Sequence, residues 1–171
     1  SVLYQLGLEL GAERGKLRND EVKELRNELK EVPRKIEKKM KEYFAETKRI
    51  AYTYSPKRAN FIGEGINYPT ALEGRLKLME IAYIPCCVNL AGDMNIFICP
   101  HSGKNAENMI GIASDIAKKE FDEYIEIPST DYSLTPLVSI IPLQLLAYHF
   151  SVKKNLNPDK PRSLAKSVTV P

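Results

Sequence analysis

The chain has 171 residues, enough for one domain with a substantial buried core. Apolar residues make up 43% and charged residues 27%, as in ordinary soluble globular proteins, and the net charge of +3 is too small to indicate binding to nucleic acid or to an anionic membrane. No apolar run approaches the roughly 20 residues of a membrane-spanning helix. The cysteines, Cys86, Cys87 and Cys99, form no CxxC pair and are expected to be reduced thiols in a cytoplasmic protein.

The N-terminal third is rich in Lys and Glu and carries a stripe of apolar residues at steps of three and four between residues 22 and 44. This spacing predicts an amphipathic helix. Pro33 is expected either to kink that helix or to open a second one. We therefore expect residues 1–56 to form a helical segment that packs on a second unit, residues 57–171.

Short apolar runs alternate with helical patterns after residue 56. The run "ANFI" predicts a strand that ends near Gly63, followed by a Gly-Glu-Gly turn and a helix from about Pro69 to Tyr83. "NIFICP" and "YIEIP" predict two more strands, and "LTPLVSIIPLQLLAYHFSVKK" predicts a long, mostly buried helix. Residues 104–119 fit a helix or a strand equally well. The alternation predicts an α/β fold with a parallel sheet and helices on its faces.

Ligands in such folds bind at the carboxyl ends of the strands, and two segments fall there. One is "GEGINYP" with the helix that follows it. The other is "PHSGKN", whose hydroxyl, backbone amides and lysine suit a phosphate, although an ordinary polar loop has the same composition. The sequence contains no metal-ligand cluster, no P-loop and no GxGxxG motif, so it predicts neither a cofactor nor a metal.

The histidines and cysteines give weak signals. His101 alone is little evidence for a site, and His149 on the apolar helix is expected to be a core residue with its hydrogen bonds satisfied. Cys86 and Cys87 are expected to pack in the interior, since nothing places a histidine beside them to activate a nucleophile.

Glu73, Lys77 and Glu80 are spaced to share one face of the predicted helix. On spacing alone, the favoured interpretation is a surface ion-pair ladder worth a few tenths of a kcal/mol per pair. The alternative is a proton-transfer site beside a sugar, in which a carboxylate moves a proton between adjacent carbons and Lys77 tunes its pKa. A second stripe on this helix is expected to face the core: Leu72, Leu76, Met79 and Tyr83.

Two blocks of the sequence closely resemble the sugar-isomerase (SIS) half of the glutamine:fructose-6-phosphate aminotransferase family, also called glucosamine-6-phosphate synthase. They are "NFIGEGINYPTALEGRLKLMEIAYI" and "SIIPLQLLAYHFSVKKNLNPDKPRSLAKSVTV", and the motif PR-x-LAKSVTV is the most specific part. The resemblance implies a flavodoxin-like three-layer α/β sandwich with a parallel sheet. It also implies a homodimer, with a glutamine amidotransferase domain and a first SIS subdomain as partners.

The activity that the resemblance implies is the synthesis of glucosamine 6-phosphate from fructose 6-phosphate and ammonia, a step of amino sugar biosynthesis. Lys166 matches the residue that forms a Schiff base with the open-chain sugar. Glu80 matches the residue that moves the proton between C1 and C2, and Glu73 and Lys77 match residues that line the same site.

The same resemblance implies a role for the C-terminal tail. A tail anchored by Pro161 and Arg162 delivers the amine of Lys166 into a partly closed pocket, where desolvation lowers the amine's pKa and makes it nucleophilic. The small residues Ala165 and Ser167 leave room for the sugar.

The chain also departs from the family. The run after the carboxylate helix is "AGDMN", without the histidine that helps the family open the sugar ring, and the middle of the chain is short. Three interpretations stay open: the aminotransferase half-site, a non-catalytic phosphosugar-binding SIS module that regulates or scaffolds, and a stand-alone aldose–ketose isomerase. The Lys166 tail favours the first, and the missing histidine favours the second.

Overall fold

A computed structural model of the protein describes residues 2–63, 65–89, 94–100 and 123–162. The helices are α1 (Val2–Glu13), α2 (Asn19–Thr53), α3 (Tyr68–Ala82) and α4 (Thr135–Lys153), and short 3-10 turns, Gly65–Asn67 and Tyr132–Leu134, precede α3 and α4. The strands are β1 (Ala59–Ile62), β2 (Cys86–Val88), β3 (Met94–Pro100) and β4 (Glu123–Ile127). The ambiguous stretch 104–119 lies outside the described residues.

The described strands form one parallel sheet in the order β2-β1-β3-β4. Phe61 of β1 pairs with Val88 on one side and with Ile96 on the other, so β1 is central. The three strands expected from the sequence are confirmed. The strand β2 was not predicted, because three residues are too few to show a periodic pattern.

α2 runs as one helix from Asn19 to Thr53 with Pro33 inside it, so the expectation that Pro33 opens a second helix was wrong. Leu29 and Val32 near Pro33 are buried. Their packing stabilises the helix by more than the loss of one backbone hydrogen bond at the proline destabilises it. Further along α2, Tyr43 and Ile50 are fully buried and join the core. The division of the chain at residue 56 stays a prediction.

α4 is the central helix of the core and packs against α2, α3 and the sheet. Among the described residues, the segment Tyr132–Lys153 is the one helix whose length and composition would suffice to cross a membrane, with a mean hydropathy of 1.3. The sequence had led us to expect no such run. Of its most apolar window 56% is buried inside the protein, as is usual for the core helix of a folded domain.

α3 faces the core mainly with small residues, and the expected orientation of its larger apolar stripe was wrong. Leu72, Leu76 and Met79 are 36%, 45% and 39% exposed, and Tyr83 is half-buried. The buried face consists of Thr70, Ala71, Gly74, Leu78 and Ala82. Close approach to α4 explains this choice, because a Cβ at Gly74 would lie 2.7 Å from Cδ1 of Leu143.

Two neighbouring lysines at the end of α4 bind the C-terminal ends of two other helices. Lys153 Nζ donates to the Tyr54 carbonyl at 2.6 Å, at the end of α2, and to the Ser55 hydroxyl at 2.9 Å. Lys154 Nζ donates to the Ala82 carbonyl at 2.7 Å, at the end of α3. These ammonium groups satisfy carbonyls that lack intrahelical partners, and their charge is favourable at the negative end of a helix.

Candidate functional site

The turn between β1 and α3 lies at the carboxyl edge of the sheet, where the sequence predicted a ligand segment. Gly65 has a φ of +52°, which glycine adopts at little cost. At Gly63, a Cβ would lie 2.7 Å from the backbone oxygen of Asn67, so only glycine fits this tight path. The chain can therefore leave β1 and enter α3 within a few residues, which brings the N-terminal end of α3 to this edge.

A buried amide joins this turn to the first turn of α4. Asn67 is fully buried, and its side-chain oxygen lies 3.3 Å from the hydroxyls of both Thr135 and Ser139. The side-chain nitrogen of Asn67 has no hydrogen-bond partner within the described parts of the chain. The sequence did not single out Asn67, because a lone asparagine next to glycines is typical of any turn.

α3 brings together the three charged residues that the sequence had placed on one face. Lys77 Nζ lies 2.8 Å from Glu80 Oε2 and 3.4 Å from Glu73 Oε1. The side chain of Glu80 is the most sheltered at 20% exposure, against 32% for Lys77 and 40% for Glu73. The cluster is therefore accessible to a small molecule. A surface ion-pair ladder would have the same geometry, so the distances alone do not distinguish it from a proton-transfer site.

The electrostatics of the cluster favour one protonation state of Lys77. The hydrogen bond to Glu80 raises the pKa of Lys77, the charges of Glu73 and Glu80 add to this, and burial opposes it. Lys77 therefore stays an ammonium ion at neutral pH. Such a group can hold negative charge on a carboxylate or a sugar oxygen, but it cannot act as an amine nucleophile.

The last described residues lie against the C-terminal end of α3. The backbone N–H of Arg162 donates to the Tyr83 hydroxyl at 2.5 Å, and the Arg162 guanidinium lies 5.9 Å from the centre of the Tyr83 ring. Tyr83 follows the last residue of α3 in a left-handed conformation. The residue that holds the tail thus follows Glu80 by three positions, at the same end of α3. Ala165, Lys166 and Ser167 lie outside the described residues, as does the "PHSGKN" loop after Pro100 with its His101.

The expectation that Cys86 and Cys87 pack in the interior was wrong in part, because both are half-buried. Burial raises the pKa of the Cys86 thiol to about 12, so it is protonated and a poor nucleophile. His149 is 3% exposed, its ring meets that of Phe44 edge-on at 4.5 Å, and burial lowers its pKa. It is a core histidine as expected, although its Nε2 has no described partner. Within the described ranges no three His, Cys, Asp or Glu side chains are grouped to hold a metal.

Comparison with curated proteins gives a consistent set of relatives, although no protein-family model matches the chain. The glutamine–fructose-6-phosphate aminotransferase (isomerizing) of Thermococcus kodakarensis is 38% identical over 99% of this chain and 33% of its own length. The enzyme of the same name from Clostridium tetani is 36% identical over 98% of this chain and 32% of its own length. The chain thus spans about a third of the length of the curated relatives it matches.

Two solved structures support the fold. The C-terminal domain of glucosamine-fructose-6-phosphate aminotransferase from Francisella tularensis superposes with a TM-score of 0.73 at 22% identity, over 88% of this chain and 50% of that one. A putative tagatose-6-phosphate ketose/aldose isomerase from Clostridium novyi has a TM-score of 0.67 at 15% identity, over 86% of this chain and 47% of that one. The predicted α/β fold of the SIS type, with its parallel sheet, is confirmed.

The alignment with the Thermococcus protein also bears on the short middle of the chain. It extends over 199 positions, whereas the chain has 171 residues, so at least 28 positions of the relative have no counterpart here. The identity nevertheless runs over almost the whole chain. Almost the whole chain is thus homologous to about a third of the glutamine–fructose-6-phosphate aminotransferases, and it shares the fold of the C-terminal domain of one of them.

Proposed function

We propose that this chain is the isomerase part of a glutamine–fructose-6-phosphate aminotransferase and makes glucosamine 6-phosphate from fructose 6-phosphate and ammonia. The relatives that bear this name support the proposal. The observation that carries it is the juxtaposition on α3: Lys77 stands between two carboxylates, and the tail that leads to Lys166 is held at the end of the same helix by Tyr83.

The proposed reaction begins at the carbonyl carbon C2 of the open-chain sugar. The deprotonated amine of Lys166 adds to C2 and water leaves, which gives a Schiff base. Ammonia then displaces the lysine and leaves an imine at C2. Glu80 takes a proton from C1 and returns one to C2. The C1 hydroxyl gives up its proton as it becomes the aldehyde oxygen, and the imine nitrogen gains one as it becomes the amine. The net change converts fructose 6-phosphate and ammonia into glucosamine 6-phosphate and water.

The tail is long enough for Lys166 to form the Schiff base with a sugar whose proton Glu80 transfers. Lys166 lies four positions after Arg162, and a chain of that length reaches at most about 14 Å. Glu80 precedes Tyr83 by three residues, about 4.5 Å along the helix axis. The amine of Lys166 can therefore meet a sugar that touches Glu80 while Arg162 keeps its contact with Tyr83.

The state of Lys77 supports the assignment of the Schiff base to Lys166. Because the pKa of Lys77 is raised, its ammonium is suited to holding negative charge on the sugar oxygens during proton transfer. The lysine that forms the imine needs a lowered pKa, which burial beneath a sugar would provide. The two lysines thus have opposite electrostatic requirements.

Borohydride reduction in the presence of fructose 6-phosphate tests the proposal, with peptide mass spectrometry to locate the adduct. We expect the adduct on Lys166 and its loss in Lys166→Arg. Glu80→Gln should keep the adduct but stop the uptake of solvent deuterium at the sugar carbons. An adduct elsewhere, or none at all in the unaltered protein, would overturn the assignment.

A second candidate function is a non-catalytic SIS module that binds a phosphosugar and regulates or scaffolds. The observation that favours it is the run "AGDMN", which has no histidine, together with the positions missing relative to the Thermococcus protein. Binding of fructose 6-phosphate without adduct or turnover would support this candidate. Isomerisation without ammonia would instead indicate a stand-alone aldose–ketose isomerase.

We infer the partners from the same relatives. The relatives are more than three times as long as this chain, which leaves room for a glutamine amidotransferase domain and a first SIS subdomain. We expect the protein to act as a cytoplasmic homodimer. Light scattering of the purified protein would test the dimer, and glutamine-dependent turnover would test the supply of ammonia.

A further inference from the structure

The turn after β1 is held from two sides by side chains that the proposed chemistry does not use. On the β2 side, the Gly63 N–H donates to the Asn89 side-chain oxygen at 3.2 Å, and the Asn89 side-chain nitrogen donates to the Gly63 carbonyl at 3.1 Å. On the α4 side, the Ile66 N–H donates to the Tyr132 hydroxyl at 3.3 Å. Both residues thus take up backbone groups of the turn that would otherwise need water or a ligand.

The hydroxyl of Tyr132 lies directly against Gly65. A Cβ at Gly65 would overlap this hydroxyl, and the next nearest atom is Cζ of the same ring at 3.7 Å. Tyr132 therefore fills the space beside a residue whose left-handed φ already depends on glycine. The turn cannot move toward α4 without displacing this ring.

The segment that carries Tyr132 is itself anchored. The Asp131 carboxylate accepts the N–H of Ser133 at 2.9 Å and its hydroxyl at 2.6 Å, and the Ser133 hydroxyl is hydrogen-bonded to Tyr4 of α1. Lys35 of α2 donates to the Ser129 carbonyl at 2.8 Å. Tyr132 is thus presented to the turn by a loop tied to both N-terminal helices.

We propose that Tyr132 is a positioning residue of the sugar site, acting through the Gly63–Ile66 turn on the start of α3. The inference rests on the proposed function for its catalytic consequence. Glu73 lies seven residues after Ile66, about 10 Å along the helix, so a displaced turn shifts the helix that carries the carboxylates. The turn also lies at the sheet edge where α/β folds bind their ligands.

Tyr132→Phe tests the inference, because it keeps the ring and removes only the acceptor for the Ile66 amide. In the intact protein we expect hydrogen exchange at that amide to quicken about fivefold or more, the effect of one lost hydrogen bond. The KM for fructose 6-phosphate should rise by about the same factor, with kcat changed less than about twofold. Tyr52→Phe on the exposed surface of α2 is the matched control and should change neither quantity.

A double-mutant comparison makes the test sharper. Gly65→Ala should raise KM strongly in the unaltered protein and less in the Tyr132→Phe background, where the overlapping hydroxyl is gone. Equal effects in both backgrounds, or unchanged exchange at Ile66 in Tyr132→Phe, would refute the positioning role. If the unaltered protein neither binds nor converts fructose 6-phosphate, the proposed function fails, whereas the exchange measurement still decides the role of Tyr132 in the turn.

Discussion

Replacing Gly74 with alanine tests how closely α3 packs on α4. Gly→Ala inside a helix ordinarily stabilises a protein by about 1 kcal/mol, because glycine loses more backbone entropy on folding. At Gly74 the new Cβ would lie 2.7 Å from Cδ1 of Leu143 and 3.4 Å from both Cβ and Cγ of that residue. Leu143 is 1% exposed and cannot swing into solvent.

The overlap between the new Cβ and Leu143 decides whether Gly74→Ala stabilises or destabilises the protein. Inserting a methyl group into a well-packed core costs about 1–3 kcal/mol, so we expect a net loss of about 1 kcal/mol in the free energy of unfolding of Gly74→Ala. Gly7 is the matched control, since it lies in α1 with no atom within 4 Å of its added Cβ. Gly7→Ala should stabilise by up to about 1 kcal/mol, which leaves a difference of about 2 kcal/mol between the two variants.

Urea denaturation followed by circular dichroism measures both variants, with the midpoint as the readout at constant slope. A third protein, Gly74→Ala with Leu143→Ala, should lose less stability than the two single losses added together, because the new methyl group fills part of the space that Leu143 leaves. If Gly74→Ala stabilises the protein as much as Gly7→Ala does, the close contact between α3 and α4 is not a constraint and our explanation of the exposed stripe is wrong.

Three further predictions concern single side chains. At pH 8 the Cys86 thiol, with its pKa raised by burial, should be alkylated on the order of a thousand times more slowly than an unperturbed cysteine, as followed by peptide mass spectrometry; rapid labelling would contradict its burial. Lys77→Met should cost less than about 1 kcal/mol of unfolding free energy at pH 7, since the ion pair is partly exposed. Because the folded pKa of Lys77 is raised, this difference should be complete below the unfolded value of about 10.4 and vanish as pH rises through the folded one; a difference that grows with pH would refute it. Tyr83→Phe removes the acceptor for the Arg162 N–H and should speed tryptic cleavage at Arg162, and an unchanged rate would show that this bond does not hold the tail.

The sequence best predicted those features whose residues all lie within a single helix or strand. The strands β1, β3 and β4 follow from short apolar runs and the helices α3 and α4 from longer segments between turn residues, and the spacing of Glu73, Lys77 and Glu80 placed them on one face. Both kinds of inference need only the geometry of a single helix or strand.

The remaining features depend on contacts between distant parts of the chain. The burial of Gly74 and the exposure of Leu72 are decided by how close α4 lies, which residue spacing in α3 does not reveal. Asn89 and Tyr132 contact the turn after β1 from 26 and 66 positions away, so no local motif marks them. The role of Lys166 was suggested by family resemblance alone, since a lysine in a short tail carries no periodic signal.

Lys153 and Lys154 at the end of α4 supply the charged hydrogen-bond donors for the C-terminal ends of two other helices, α2 and α3. Acetylation or carbamylation of Lys153 and Lys154 would abolish both positive charges while leaving every backbone atom in place. The carbonyls at Tyr54 and Ala82 would then each lose their charged donor. Cyanate in aged urea solutions would attack this junction, so freshly prepared denaturant is a condition for interpreting the stability of any variant.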